Sequence, residues 1–233
     1  PLNPKATAKF LGKKYRNAAS YKIPFFDHTG ERIPFSRLRL LRGEWYPGQR
    51  EKGRKFKYSQ RANTAPHLYF PPVYSWTMKK GKIKVPYLCI TEGEKKAIKA
   101  CLCGIPTVAL SGVFNFKSAK RNISIIDELR LFDLSDAVVE ICYDSDTYSN
   151  ENVLSAMNQL SSELLQLNPA HLHSVLLKEG SRIGLDDFLA SFESKEEAND
   201  AFYSLERKEA ARLNAMSAFD KDICFVTKHE RYS

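Results

Sequence analysis

Apolar and polar positions change period twice along this chain. Tyr21-Lys22-Ile23-Pro24-Phe25-Phe26 and Arg32-Ile33-Pro34-Phe35 are two β-type runs around the turn Asp27-His28-Thr29-Gly30. The next segment, Ser36-Arg37-Leu38-Arg39-Leu40-Leu41-Arg42, alternates with period two. A strand there puts Arg37 and Arg39 on one face and leucines on the other, a basic stripe on a sheet. Beyond residue 85 the pattern becomes apolar runs separated by helical periodicity. Tyr87–Thr91, Pro106–Leu110, Ala137–Tyr143 and Leu172–Leu177 have the length of buried strands. Glu94–Cys103, Ile123–Leu131 and Asn150–Leu167 read as amphipathic helices, and Lys195–Leu213 as a charged one. A short basic helix is expected within residues 1–19, opened by Pro4. Residues 43–56 read as an exposed loop and 77–84 as a basic linker. There is no internal repeat and no Gly-x-x-x-x-Gly-Lys-Ser/Thr motor motif.

Two of the expected strands end at acids. The run Tyr87-Leu88-Cys89-Ile90-Thr91 reaches Glu92, and Gly93 then turns the chain into a helix; Ile141-Cys142-Tyr143 reaches Asp144-Ser145-Asp146. In an open α/β sheet the carboxyl ends of the strands form the ligand crevice, so Glu92, Asp144 and Asp146 are expected to converge there. Clustered carboxylates repel one another unless a cation lies between them. An all-oxygen set favours Mg2+ or Mn2+ over zinc or copper. Lys178, Arg182, Asp186 and Asp187 follow the last strand on the same edge. The residues alone leave Asp186 open between widening that site and capping the next helix. His171 and His173 alternate on the last strand without an evident third ligand, and are expected to be structural or surface groups.

Charge divides the chain. Residues 1–84 hold 20 Lys+Arg against 4 Asp+Glu, a balance of +16, whereas residues 85–233 hold 16 against 23, a balance of −7. The basic half points to a polyanion, with nucleic acid foremost. Arg37, Arg39 and Lys57 would meet phosphates, and Tyr58 or Trp45 would offer stacking faces for unpaired bases; packing within the small subdomain is the alternative role for Tyr58 and Tyr69. The five cysteines have no zinc-ribbon spacing, and three of them lie in or beside apolar runs, which fits buried reduced thiols and a cytoplasmic location. No apolar stretch approaches the roughly 20 residues of a membrane span.

These features together resemble the Toprim domain of DnaG-type primases, topoisomerases and some nucleases. The resemblance runs from about Val85 to Ala190 and is carried by Glu92-Gly93, by Val108-Ala109-Leu110-Ser111-Gly112, by Asp144-Ser145-Asp146, and by Leu176-Leu177-Lys178 with Gly184-Leu185-Asp186-Asp187. Upstream, Ile23 to Gly30, Arg39, Lys57-Tyr58 and Leu68-Tyr69 are similar to the small subdomain preceding Toprim in primase cores, with Gln60 or Asn63 where that family has Asn. The resemblance implies an α/β fold: a Toprim-like, Rossmann-type, mainly parallel sheet with flanking helices (85–190), preceded by a small basic α+β subdomain (1–84) and followed by a helical segment and tail (191–233). It implies a DNA primase of a phage, plasmid or other mobile element, synthesising short primers by metal-dependent nucleotidyl transfer. Glu92, Asp144 and Asp146 would be catalytic and, with Asp186 and Asp187, metal-binding. Arg37, Arg39, Lys57, Tyr58, Gln60 and Lys178 would contact nucleic acid or nucleotide. The implied partners are single-stranded DNA template, nucleoside triphosphates and a replicative helicase, separate or fused, with no membrane. The rival readings are a Toprim nuclease and a non-catalytic single-strand-binding module.

Overall fold

A computed structural model describes residues 1–11, 19–44, 56–147, 149–177, 183–210 and 225–227. The chain forms two compact units, residues 1–27 with 31–65, and residues 28–30 with 66–233.

The first unit contains α1 (Pro4–Leu11), β1 (Ser20–Phe26), β2 (Arg32–Glu44) and β3 (Phe56–Gln60). Asn3 caps α1 by accepting from the Ala6 backbone N–H at 2.9 Å, and Pro4 stands at the first helical position, where its missing N–H costs nothing. The strands form an antiparallel sheet in the order β1-β2-β3. The period-two pattern is realised: Leu38 and Leu40 are buried with Leu11, against which Leu2 and Phe10 also pack. Leu2 and Ser20 exchange backbone hydrogen bonds at 2.6 and 3.0 Å, which ties the start of the chain to β1.

The second unit runs β4 (Met78–Lys79), β5 (Lys82–Lys84), β6 (Tyr87–Glu92), α2 (Glu94–Leu102), β7 (Thr107–Leu110), α3 (Asp127–Arg130), β8 (Phe132–Asp133), β9 (Val138–Cys142), α4 (Glu151–Leu165), β10 (His171–Val175), α5 (Leu185–Ala190), α6 (Lys195–Tyr203), β11 (Arg207–Ala210) and β12 (Phe225–Thr227). Its main sheet has the order β12-β11-β10-β9-β6-β7. The four strands β10, β9, β6 and β7 are parallel, and β11 and β12 extend them antiparallel. One face, with Leu88, Ile90, Val139, Ile141 and Leu172, packs on Met157, Leu160 and Leu164 of α4. The other, with Cys89, Cys142 and Val175, is covered by α2, α5 and α6 through Ala100, Leu189 and Phe202. Burial on both faces explains why these parallel strands read as continuous apolar runs. Tyr69 closes the outer edge of β7 by exchanging backbone bonds with Ala109 at 2.8 and 3.1 Å.

Three local expectations are corrected. Residues 77–84 are a hairpin rather than a linker: Lys80 and Gly81 both take positive φ (52° and 75°), the type I′ turn that suits a two-residue loop. Fully buried Ile83 pairs β5 with β8, so this segment is built into the second unit instead of closing the first. The helix expected over Ile123–Leu131 shortens to α3, because Ile125 and Ile126 are buried ahead of it and Ile126 is extended. The charged helix expected over Lys195–Leu213 ends at Tyr203, and Arg207 is drawn into a strand by Glu140 of β9.

Cys89, Cys101, Cys103 and Cys142 are buried and free. Burial, then a hydrogen bond with Cys142, pushes the Cys89 thiol well above its ordinary value, and burial pushes Cys101 up to about 12. Both are inert at neutral pH. Among the described residues no helix is long and apolar enough to cross a membrane.

Candidate functional site

From β6 the chain passes through α2 to β7 on one side; from β9, on the other side of β6, it passes through α4 to β10. The direction of connection therefore reverses between β6 and β9. In open α/β sheets the crevice at the carboxyl ends of such strands is where ligands bind. Glu92 is the last residue of β6, and Asp144 lies two residues past the end of β9, with Thr91 paired to Cys142 in between. Gly93 makes the turn into α2 at φ +101°, a conformation an L side chain rarely adopts, while its N–H donates to Leu110 O at 2.9 Å.

The first turn of α2 brings Lys96 onto this edge, where its ammonium donates to Asp144 Oδ1. The Lys96 side chain is 15% exposed and that of Asp144 27%. Burial works against the lysine's charge, but Asp144 foremost, then Glu92 and Asp186, outweigh it and hold Lys96 above its ordinary value. Burial, and then the charge of Glu92, push the Tyr143 hydroxyl far up. The loop before α5 closes on the loop after β9: Ser145 N–H donates to Ile183 O at 3.1 Å and Ile183 N–H to Ser145 Oγ at 3.0 Å. That clasp sets Gly184 against the site. A Cβ there would lie 2.9 Å from Asp186 Oδ1, 2.9 Å from Lys96 Cε and 3.3 Å from Asp144 Oδ1. Lys95 Nζ lies 3.8 Å from Asp186 Oδ2. Thr147 locks the Asp144 carbonyl through its N–H at 3.0 Å and its hydroxyl at 2.5 Å.

Glu92, Asp144 and Asp186 thus meet around Lys96. Asp146 sits in the same turn as Asp144, its carbonyl accepting from Ser149 Oγ at 3.1 Å. Asp187 is exposed on the first turn of α5. Lys178 and Arg182 lie outside the described residues, as does Trp45. Lys96 was not singled out in the sequence, although its place four residues after Glu92, one turn into a helix that starts at the strand end, is the signal that finds it. The donors are hard oxygens suited to Mg2+ or Mn2+. Among the described residues, however, the five acids provide no trio of oxygens within 4.8 Å of one another. The chemistry of the set fits such an ion, and Lys96 supplies the positive charge among the carboxylates in this arrangement.

In the first unit Arg37 and Arg39 share a face of β2, as the alternation requires, and both lie over the Tyr58 ring, at 5.1 and 5.0 Å from its centroid. The register sets this, since Arg39 is opposite Tyr58 and Arg37 opposite Gln60. Arg37 is buried, so it braces Tyr58 rather than facing solvent. Gln60 Nε2 donates to Thr64 Oγ1 at 3.1 Å, and Lys57 is exposed. A separate basic concavity was not legible in the sequence. A cavity of about 520 Å³ is lined by Phe10, Lys22, Arg32, Phe35, Arg61 and Thr64, among others. Lys22 and Arg61 lie over the Phe10 ring at 5.3 and 5.7 Å.

No curated protein matches the sequence. The fold is similar to a DNA primase domain from Pseudomonas aeruginosa (TM-score 0.50, 17% identity, 84% of this chain and 53% of that one). Alignments to the E. coli primase catalytic core (TM-score 0.49, 18% identity, 81% and 53%) and to the Aquifex aeolicus primase zinc-binding and RNA polymerase domains (TM-score 0.47, 18% identity, 80% and 40%) are looser. The chain spans about half the length of these primase structures. The family model of a domain of unknown function, DUF3854, matches residues 74–196, more than half of the chain, and covers the four parallel strands of the main sheet, the strand-end acids and Lys96. The chain belongs to the DUF3854 family.

Proposed function

We propose that this chain is the catalytic portion of a Toprim-type DNA primase, making short primers on single-stranded DNA for a phage, plasmid or other mobile element. The observation that carries this reading is the meeting of Glu92, Asp144 and Asp186 with Lys96 at the point where the strand order reverses; the primase-like fold agrees with it. Glu92, Asp144, Asp146 and Asp186, with Asp187 at the margin, would hold Mg2+ or Mn2+. When bound, that ion would lower the pKa of the primer 3′-hydroxyl and offset charge on the departing pyrophosphate. Lys96 keeps Asp144 in place before loading and then presents its ammonium to nucleotide phosphate oxygens. Lys178 is assigned the same partner. Gly184 leaves the room that Asp144 and Asp186 need beside Lys96. Arg39, Lys57 and Gln60, with Lys22, Arg32 and Arg61 around Phe10, give the first unit cations and an aromatic face for a single strand. Arg37 and Tyr58 support that surface from beneath. A replicative helicase is the expected partner protein, and the cytoplasm the expected location.

The test is labelled-nucleotide incorporation on a circular single-stranded template with Mg2+ or Mn2+, wild type against Asp144→Asn. Short products that disappear in the variant support primer synthesis. Template cleavage that depends on Asp144, without incorporation, assigns the site to a nuclease. Salt-sensitive binding alone, with neither activity, reduces the chain to a binding module.

A further inference from the structure

On the face of the same sheet that carries Val175, away from the strand-end acids, His171 and His173 stand two residues apart on β10. Their rings stack with planes 7° apart and centroids separated by 5.9 Å. Register places Glu209 of β11 directly opposite His173. One ligand atom from each of His171, His173 and Glu209 lies within 4.8 Å of the others, the only group of three His, Cys, Asp or Glu side chains to do so among the described residues. His171 is exposed, while His173 and Glu209 are half-buried, so the cluster opens to solvent on one side.

We propose that His171, His173 and Glu209 form a site for a late first-row divalent cation of the Zn2+ class. Two imidazoles and one carboxylate make a borderline donor set that selects zinc over Mg2+, and three protein ligands leave a fourth position for water. A tetrahedral ion with bonds of about 2.1 Å needs its ligand atoms roughly 3.4 Å apart. The exposed ring of His171 closes that gap by rotation about its side-chain bonds. Nδ1 of His173 is buried without a hydrogen-bond partner, and Glu140 Oε1 lies 3.9 Å from it. A small rotation makes this the carboxylate–histidine pairing that orients a ligating imidazole. Glu140 is itself held by Arg207 and Tyr87, so the base of the site is rigid. The bound ion would pin the antiparallel strand β11 to the parallel sheet at β10, where three backbone pairs join them. This site needs no contribution from the strand-end acids and does not depend on the primase reading.

The experiment titrates the whole chain with Zn2+ by calorimetry and with Co2+ by its visible absorption, comparing wild type with His171→Ala, Glu209→Gln and Asp144→Asn. Wild type and Asp144→Asn are expected to bind one equivalent and to melt higher with Zn2+. His171→Ala and Glu209→Gln are expected to bind more than about tenfold more weakly. His171 is exposed, so its variant should melt like the wild type without metal. The assignment is overturned if wild type does not bind Zn2+, if binding survives undiminished in both His171→Ala and Glu209→Gln, or if it is lost in Asp144→Asn instead.

Discussion

Glu140 and Asp144 stand four residues apart, on β9 and just past its end, in surroundings that differ in kind. Glu140 is 3% exposed and takes three hydrogen bonds. It accepts from Arg207 Nε at 2.5 Å and Nη2 at 3.3 Å, and from the Tyr87 hydroxyl at 2.5 Å. Arg207 spends its remaining donors on the carbonyls of Phe202, Tyr203 and Leu205, which turn α6 into β11. Although burial alone would lower the Arg207 pKa, Glu140 raises it; burial, with the nearby charge of Glu140 among the lesser causes, pushes the Tyr87 hydroxyl far up. Asp144 is 27% exposed, is held by one lysine, and shares that lysine's field with Glu92 and Asp186. A buried carboxylate whose lone pairs are mostly taken by protein donors fixes the chain; one left half-open beside like charges is equipped to take a ligand.

The largest effect expected from breaking this contrast is on stability. Glu140→Ala leaves the half-buried Arg207 without its carboxylate and should cost about 3 kcal/mol, the low end for breaking a buried pair, read as a lower denaturation midpoint. Any loss of activity should then follow unfolding. Asp144→Asn should do the reverse: the midpoint stays near wild type while nucleotide incorporation falls roughly 100-fold or more, the scale seen when one charge-stabilising group is removed from an active site. Equal losses of stability in both variants would erase the distinction.

Gly184→Ala sharpens it from the other side. The added methyl would press on Asp186 Oδ1 and Lys96 Cε at 2.9 Å, both side-chain atoms able to move, so folding should be little affected. The displaced carboxylates should cost about tenfold in activity, with unchanged melting temperature. An unaltered rate would mean that the spacing around Gly184 does not matter to the chemistry.

How much of this was readable in the residues follows from what each feature depends on. Glu92 and Asp144 were legible because an apolar run, an acid and a glycine turn are local, and because the carboxyl-end rule needs only the order of elements. The stripe of Arg37 and Arg39 was legible for the same reason. What they touch was not, since the Tyr58 contact depends on the register between β2 and β3, which no local pattern encodes. β11 was missed because Arg207-Lys208-Glu209-Ala210 carries helix-forming residues and becomes a strand only through Arg207's partner on β9. With β11 unread, Glu209 could not be placed beside His173, and the histidine pair looked incomplete.

The basic concavity of the first unit tests whether exposed cations behave differently from braced ones. Lys22→Glu and Arg61→Glu, at the Phe10 cavity, should weaken single-strand binding and each lower the salt slope by about 1 in log–log terms. Arg37→Ala should leave the slope unchanged and lower stability instead, because its guanidinium is buried over Tyr58. A slope that falls with Arg37 and not with Arg61 would reverse the assignment.

The smallest effect belongs to a third carboxylate, at the surface. Asp133 of β8 meets Lys84 of β5 at 2.7 Å, joining the two strands of the small parallel pair. Hydrogen bonds from Lys84, then from Ser135, lower the Asp133 pKa from 3.8 to about 2. Because the folded value lies below the ordinary one, the pair's contribution is present above about pH 3.8 and is lost as pH falls through 2. Asp133→Asn should therefore lower the midpoint slightly at neutral pH and flatten the stability curve between those two values. Salt should shrink the difference, since both side chains are about one-third exposed and screened by solvent. Denaturation midpoints measured across the acid range in wild type and variant decide it. Parallel curves would mean that the strands are held by Ile83 and their backbone bonds alone, and that the ion pair at their rim is electrostatically silent.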